Sequence, residues 1–495
     1  MKKSILFFTI WATALAGFKL NAQSYQGLTG NFAGVNSLLE NPANAADSRY
    51  RFDFNFFSVN FLVGSNAYYL NKNKIFSSSG SGFQEGVDYT RNTSDENKNF
   101  WMNADILGPS FMMNLNKKSG FGITTRFRTL FNVDNLSNSS FKLIGEDSVG
   151  GAFNLAESNL KASFLSFADV GFTYGRVFVD DGRNLFKGGF TLKYYIGVSA
   201  GSLNVSNFNA TYNSNNNMDS AYLQSSSNGS LNLNYASNID NFKNGNPFSD
   251  MGNKAGKNGF GLDIGFVYER HPSGYYDKDD AITTKWLNSN EKIPYKYKVS
   301  VSVTDIGLSN MQFNNSTNAA SYILPARKTY LSELNVQNSD PNSSLTMDQY
   351  VDSLQKKGIL KKNTTSSTFS VALPTVVHVN FDWHAYGRIF INADALISTM
   401  GSMSSKPAVH YISTYTLAPR IEMKWLGLYF PFSYNVQKEF NSGFAFRFGP
   451  LYVGSGSIIS NLVKSNVSNA DFYLGLNLPI YRKNNVIESS PPAKP

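Results

Sequence analysis

The chain contains no cysteine. A disulfide framework, a thiolate metal site and a lipid-modified N-terminal cysteine are all excluded. Histidine is scarce: His271, His378, His384 and His410 are the four in 495 residues, and none stands in a metal spacing such as H-E-x-x-H. Serine is too abundant for any one residue to be nominated as a nucleophile. The formal charge of +9 is spread without a long basic run, so nucleic-acid binding has no electrostatic footprint. After the first two dozen residues no apolar run approaches the roughly 20 residues of a transmembrane helix. A chain of this kind can enter a bilayer only as a closed sheet. No catalytic, cofactor-binding or metal-binding residue is nominated, and no enzymatic activity is expected.

What is present begins with a leader. Lys2 and Lys3 precede an apolar stretch from Ile5 to Gly17, and Leu20-Asn21-Ala22 provides a small-residue cleavage site. This pattern predicts a signal peptide over 1–22. Aromatic residues form 15% of the chain although its mean hydropathy is only −0.27. Walls that alternate apolar and polar, joined by polar loops, give that combination.

The alternation can be read directly. Phe260, Leu262, Ile264, Phe266 and Tyr268 fall at every second position, against Gly261, Asp263, Gly265 and Glu269. Similar patterns predict strands near 50–62, 106–116, 121–132, 162–179, 185–199, 258–270, 295–307, 366–383, 386–399, 408–423, 426–435, 442–449, 451–460 and 470–481. The fold class is therefore all-β: an antiparallel transmembrane barrel of about 14 strands (12–16), with an N-terminal plug and long outer loops. Long Asn/Ser-rich connections (63–105, 200–257 and 308–365) alternate with short turns such as Lys117–Gly120 and Asp180–Asn184. The medium connection 271–294 lies on the side expected to be short. The domain reading is leader 1–22, plug 23–49, barrel 50–481 and periplasmic tail 482–495.

Within the loops, parts of 201–236 alternate and extend strands above the membrane. Thr346-Met-Asp-Gln349 has capping-box spacing, followed by Tyr350, Val351 and Leu354 on one face and Gly358 as a stop. A short helix over the barrel mouth is expected. Asp382 and His384 share one face of a strand end, and a solvated wall pair is the favoured reading of them.

The positions opposite the apolar face are candidates to line the lumen: Arg126, Arg128, Lys193, Lys296, Lys298, Asp382, Arg420 and Arg447, with Asp53, Asn55, Asp169, Asp263 and Asp394. Two readings remain open, cross-lumen bracing or an aqueous path tolerant of anionic groups, and bracing is favoured because charges kept out of lipid need partners first. Ahead of the first strand, Asn41-Pro42-Ala43 fixes a turn, since Pro42 drives Asn41 out of the helical region. The segment is suited to act as a compact stopper.

The N-terminal pattern Gly34-x-x-Ser37 followed by Asn41-Pro42-Ala43-x-x-Ala46 resembles the hatch of FadL-type long-chain fatty-acid transporters and of PorV-like barrels of the Bacteroidota. Gly108-Pro-Ser-Phe111, Thr304-Asp-Ile-Gly307, Leu417-Ala-Pro-Arg420 and Gly449–Gly456 resemble an uncharacterised Bacteroidota outer-membrane barrel family over most of the chain. The resemblance implies the fold and the outer membrane, and supplies no substrate. The first expectation is a channel or transporter for small hydrophobic or amphipathic molecules, with outer-membrane lipid around it. The second is a docking barrel for a secreted or surface protein. A continuous apolar passage would support transport, whereas a lumen filled by paired charges would count against it.

Overall fold

The computed structural model describes residues 30–72, 85–144, 151–214, 220–243, 255–272, 295–336, 345–400 and 406–481. The expected leader and tail, residues 23–29 of the plug and all but the first two residues of the 271–294 connection lie outside the described residues.

The alternating segments form the wall strands β1 (Tyr50–Ser65), β2 (Lys98–Leu107, resumed at Ser110–Asn114), β3 (Ser119–Leu136), β4 (Leu160–Asp180), β5 (Asn184–Ser206), β6 (Gly259–Arg270) and β7 (Tyr297–Ser309). They continue as β8 (Val376–Tyr386), β9 (Ile389–Ser398), β10 (Thr414–Glu422), β11 (Leu426–Tyr429 and Phe432–Asn435), β12 (Phe440–Ser442 and Phe444–Phe448), β13 (Leu451–Ser455) and β14 (Asn469–Tyr481). Each pairs antiparallel with the next, and β1 pairs with β14 from Tyr50↔Tyr481 to Gly64↔Asn469. The sheet is therefore a closed 14-strand barrel. Closure removes the unpaired edge that a membrane would not tolerate. Pro109 and Pro431, which lack a ladder donor, sit in the interruptions of β2 and β11.

The two faces differ as the sequence requires. Phe172, Phe190, Leu192, Phe260, Phe266, Phe381 and Tyr415 are exposed on the outside, and neighbouring rings meet across strands, as in Phe186 on Phe266 at 6.0 Å. Arg128, Asp169, Asp263, Asp382 and Arg420 are buried within. Apolar outside and polar inside suits a lipid-facing barrel.

Three sequence-predicted strands shorten. The eighth begins at Val376 because Pro374 cannot continue the ladder. The tenth begins at Thr414, and the thirteenth gives way after Ser455 to a short helix, Ile458–Val463. The displaced residues turn inward: Val371, Leu373 and Val409 join Leu130, Leu165, Phe167, Tyr195, Met311 and Phe313 in one buried apolar cluster.

At the long-loop end, β5 outgrows the barrel, and its last turn of ladder pairs with Gly229–Tyr235, which in turn pairs with Ala320–Leu324. The alternation within 201–236 thus does extend the wall. The expected helix spans Met347–Lys356, closed by the Thr346/Gln349 capping box, with Val351 and Leu354 buried and Gly358 at a positive φ of 71°. Those two residues pack with Leu231, Leu233, Tyr235 and Tyr322. The loops therefore fold into a cap with its own core.

Candidate functional site

The first described residues enter the barrel at its short-turn end as two 3-10 turns, Gly34–Leu39 and Pro42–Ala45. Between them Asn41 is extended (φ −147°), the conformation Pro42 imposes, and its side chain accepts from the Ala43 amide. The Asn41 amide group also donates to the carbonyls of Phe266 (3.1 Å) and Val301 (3.2 Å). Further anchors run to the wall: the Val35 amide donates to Asp53 (2.7 Å), Asn31 donates to Glu422 (2.8 Å) and Asn36 donates to Tyr452 (3.0 Å). Lys187 donates to the Ala46 carbonyl at 3.0 Å.

The seat beneath this segment is made of glycine. Gly120, Gly175, Gly189 and Gly265 lie opposite one another in successive registers across β3, β4, β5 and β6. A Cβ on Gly189 would stand 2.6 Å from the Pro42 carbonyl carbon, and one on Gly175 would stand 2.9 Å from the Ala46 nitrogen. Gly120 and Gly265 are equally closed, against Ala45 and Asn41. Side chains are thus excluded where the plug backbone lies flush on the wall. The row could have been found from sequence, since glycine occupies inward positions where the other strands carry polar residues.

Asn41→Ala removes one local cap and two bonds to buried carbonyls. An unmet buried polar group costs about 1–3 kcal/mol. We expect the barrel to stay folded while the plug becomes measurably more sensitive to limited proteolysis, and unchanged protection would contradict this anchoring role.

Above the plug the inward charges form a septum. Arg128 bonds Asp169 (2.8 Å) and Asp305 (2.6 Å), and Lys193 bonds Asp263 (2.8 Å) and Asp305 (2.7 Å). Tyr195 donates to Asp305 at 3.1 Å, and the Asp305 amide donates to Asp263 at 2.7 Å. Arg126 pairs beside them with Asp105. A second network lies closer to the short turns, where Arg420 holds both oxygens of Asp382 (2.9 and 2.6 Å) and Tyr295 donates to the same carboxylate. Lys298 stands 3.6 Å from Asp382, and Arg420 lies 3.3 Å from Glu422.

Of the sequence-nominated lumen residues, Arg126, Arg128, Lys193, Lys298, Asp382 and Arg420 are thus ion-paired. Arg447 is buried, donates to the Met423 carbonyl (2.6 Å) and stacks over Phe32 at 4.6 Å. Lys296 is the exception. It precedes β7 and is exposed. Asp382 and His384 do not act together, because His384 turns to the Gly387 carbonyl (2.8 Å) and stacks on Phe390.

Sequence reasoning missed Asp305. Plain alternation along β7 would place it with Val301 and Val303 on the lipid face, but the β6–β7 register shifts between Ile264/Val303 and Leu262/Ile306. Asp305 there takes φ 58° and points inward. A carboxylate that the pattern assigns to lipid is itself the signal for a bulge, since lipid would reject it.

Beside the plug lies a polar cleft, open to solvent, lined by Ser37, Glu40 and Asn44 of the plug and by Lys187, Glu269, Lys298, Ser300, His378, Asn380 and Asp394 of the wall. It runs from the short-turn rim at Asp47 and Arg49 inward to His378. The lumen is therefore layered: a polar cleft beside the plug, a charged septum, and an apolar cluster under the cap. Between cleft and apolar cluster the lumen is crossed by paired charges.

The inturned segment 407–413 closes the upper layer. His410 donates to Asp134 at 3.1 Å, and its backbone pairs with Asn132. Burial alone would lower the imidazole pKa, but the bond and charge of Asp134 and the Tyr411 carbonyl outweigh it and hold the ring above its ordinary value. A raised folded pKa stabilises fully below the unfolded value, about 6.5, and that contribution fades as pH rises through the folded value. Proteolysis within 406–413 should increase on going from mildly acidic to alkaline pH, and His410→Gln should abolish the dependence. A dependence that survives the substitution would assign it elsewhere.

Comparison with solved structures places the chain beside a Pseudomonas aeruginosa FadL homologue at 10% identity, covering 93% of this chain and 98% of that one, with a TM-score of 0.41. The Ralstonia pickettii toluene transporter TbuX (9% identity; 90% and 94% covered; TM-score 0.39) and the P. putida toluene transporter TodX (9%; 91% and 95%; 0.39) are similar to a like degree. No curated protein matches. The family model described as "Family of unknown function (DUF5723)" matches residues 42–456, from the Pro42 turn to the end of the thirteenth strand, and the chain belongs to that family.

Proposed function

We propose that this barrel resides in the bacterial outer membrane, with its short turns and plug on the periplasmic side, and acts as a gated conduit for a small amphipathic molecule. The layered lumen carries this reading. A polar cleft reaches the septum from one side and an apolar cluster meets it from the other, so a molecule with a polar end and an apolar body finds a matching environment on each side. The paired septum argues against an open hydrophobic pore and makes the closed state the resting one. Lipid contacts the exposed aromatic face.

The test is uptake into vesicles that hold the purified chain. Short-chain alkylamines and alkylcarboxylates should enter faster than into protein-free vesicles once the septum is weakened, and a sugar of similar size should not. Equal entry of all three, or none, would overturn the reading.

A second reading is favoured by the folded cap, whose packed core and four-stranded sheet (Gly151–Glu157, Phe208–Ser214, Tyr222–Ser225 and Lys328–Tyr330) exceed what closing a mouth requires. It would dock a secreted or surface protein. Retention of a partner that depends on the cap, in a barrel showing no uptake, would favour it.

A further inference from the structure

The plug meets the barrel asymmetrically. Toward β3–β6 its backbone lies on the glycine row with no room for a side chain, and Val35, Leu38, Ala43, Ala45 and Ala46 are each 2% exposed or less. Toward β7–β9 the contact is sparser: Asn41 donates to the Val301 carbonyl and Ser302 to the Glu40 carbonyl, and the other facing side chains line the open cleft. Backing the segment out would expose all five apolar groups and break the anchors to Asp53, Glu422 and Tyr452. Moving solute along the cleft disturbs none of them.

The cleft also carries a sign. Its two lysines are matched, Lys187 with Glu269 and Lys298 with Asp382, each at 3.6 Å. Glu40 on the plug and Asp394 on the wall line the same space, and neither forms an ion pair among the described residues. Burial and the neighbouring Asp394 charge push the Glu40 carboxyl well above its ordinary value, so the pair holds about one negative charge between them at neutral pH, and with the lysines matched the field in the inner cleft favours cations.

We infer that the plug is a stationary wall of the conduit and not its gate, and that the path runs beside it through the cleft, where Glu40 and Asp394 prefer solutes bearing a cationic group. This rests on the conduction reading above. The gate is then the septum, which the cleft meets at its inner end.

The absence of cysteine makes the test direct. Gly175 is the least tightly closed of the four row positions, and in Ala45→Cys/Gly175→Cys the two Cβ positions lie 3.1 Å apart, a few tenths of an ångström below the usual disulfide range. Oxidation should therefore lock the plug to β4 once protection of Arg49 from trypsin in the reduced protein shows that the plug is still seated. Ser300→Cys, added as a reporter, is reacted with a trimethylammonium methanethiosulfonate and with its sulfonate counterpart, using the reduced protein of the same sequence as the control. Locking should change the labelling rate by less than about twofold, and the cationic reagent should react roughly tenfold faster than the anionic one, as a focused field gives. Glu40→Gln/Asp394→Asn should bring that ratio near one. A tenfold loss of labelling on locking, or failure of the pair to cross-link in a folded barrel whose Arg49 stays protected from trypsin, would overturn the inference. Alkylamine uptake retained by the locked protein supports the path. Uptake present when reduced and lost when locked defeats the stationary plug alone, whereas uptake absent in both removes the conduction reading and the path with it.

Discussion

Asp305→Ala should lower the stability of the barrel more than any other single substitution in the lumen. Arg128 and Lys193 both lean on that carboxylate, at 2.6 and 2.7 Å, inside a septum where each is nearly inaccessible. Removing one member of a buried ionic group leaves charge uncompensated and costs about 3–5 kcal/mol. Arg128 keeps Asp169 and Lys193 keeps Asp263, both at 2.8 Å, so the lower part of that range is expected. With a urea slope of about 1–3 kcal/mol per molar, the unfolding midpoint should fall by at least about 1 M.

Backbone and charge can be separated at the same position. The φ of 58° at Asp305 strains alanine but suits glycine and is tolerated by asparagine. Asp305→Gly should therefore be more stable than Asp305→Ala by about 1 kcal/mol, while Asp305→Asn keeps the shape and loses only the charge. All three should raise ion leakage through reconstituted vesicles if the septum is the closing element. An unchanged midpoint for Asp305→Ala would show that the network braces nothing.

The barrel was legible because its physics is local. Period-two alternation sorts each strand into a lipid face and a lumen face, and the unequal connections order the strands, so positions such as Phe266 and Lys193 are assigned without knowledge of their neighbours. Local pattern fails where the chain leaves the ladder. Pro374 and Pro407 were available as warnings, yet the runs around Val371 and Val409 look apolar and alternating whether they face lipid or pack inside. The partners of the lumen charges were not legible at all: Arg128 and Asp305 are 177 residues apart, and only closure of the barrel and a one-residue bulge bring them together. Asn41-Pro42-Ala43 announced a turn, but its seat depends on four glycines from four strands, a relation that no single segment contains.

That seat supports the second large effect. Gly189→Leu should expel the plug while leaving the barrel closed. Its Cβ alone would stand 2.6 Å from the carbonyl carbon of Pro42, and the wall cannot retreat because Gly189 is paired on both sides, with Gly175 and Gly265. Overpacking of this kind costs about 1–3 kcal/mol or more, and the plug, held by a handful of hydrogen bonds, is the part able to yield. Trypsin should then cleave after Arg49, which in the seated state lies 5.0 Å over the Phe32 ring, while heat-modifiable migration on gels continues to report a folded barrel. Alanine, valine and leucine at this site should give increasing cleavage. Gly188→Ala, whose added methyl meets the rings of Phe178 and Phe266, should leave Arg49 protected. The decisive arm is deletion of residues 30–46 combined with Gly189→Leu. If the leucine acts by displacing the plug, the two changes share one effect and their stability costs will not add; additive costs would mean that Gly189 serves the wall itself and not the seat.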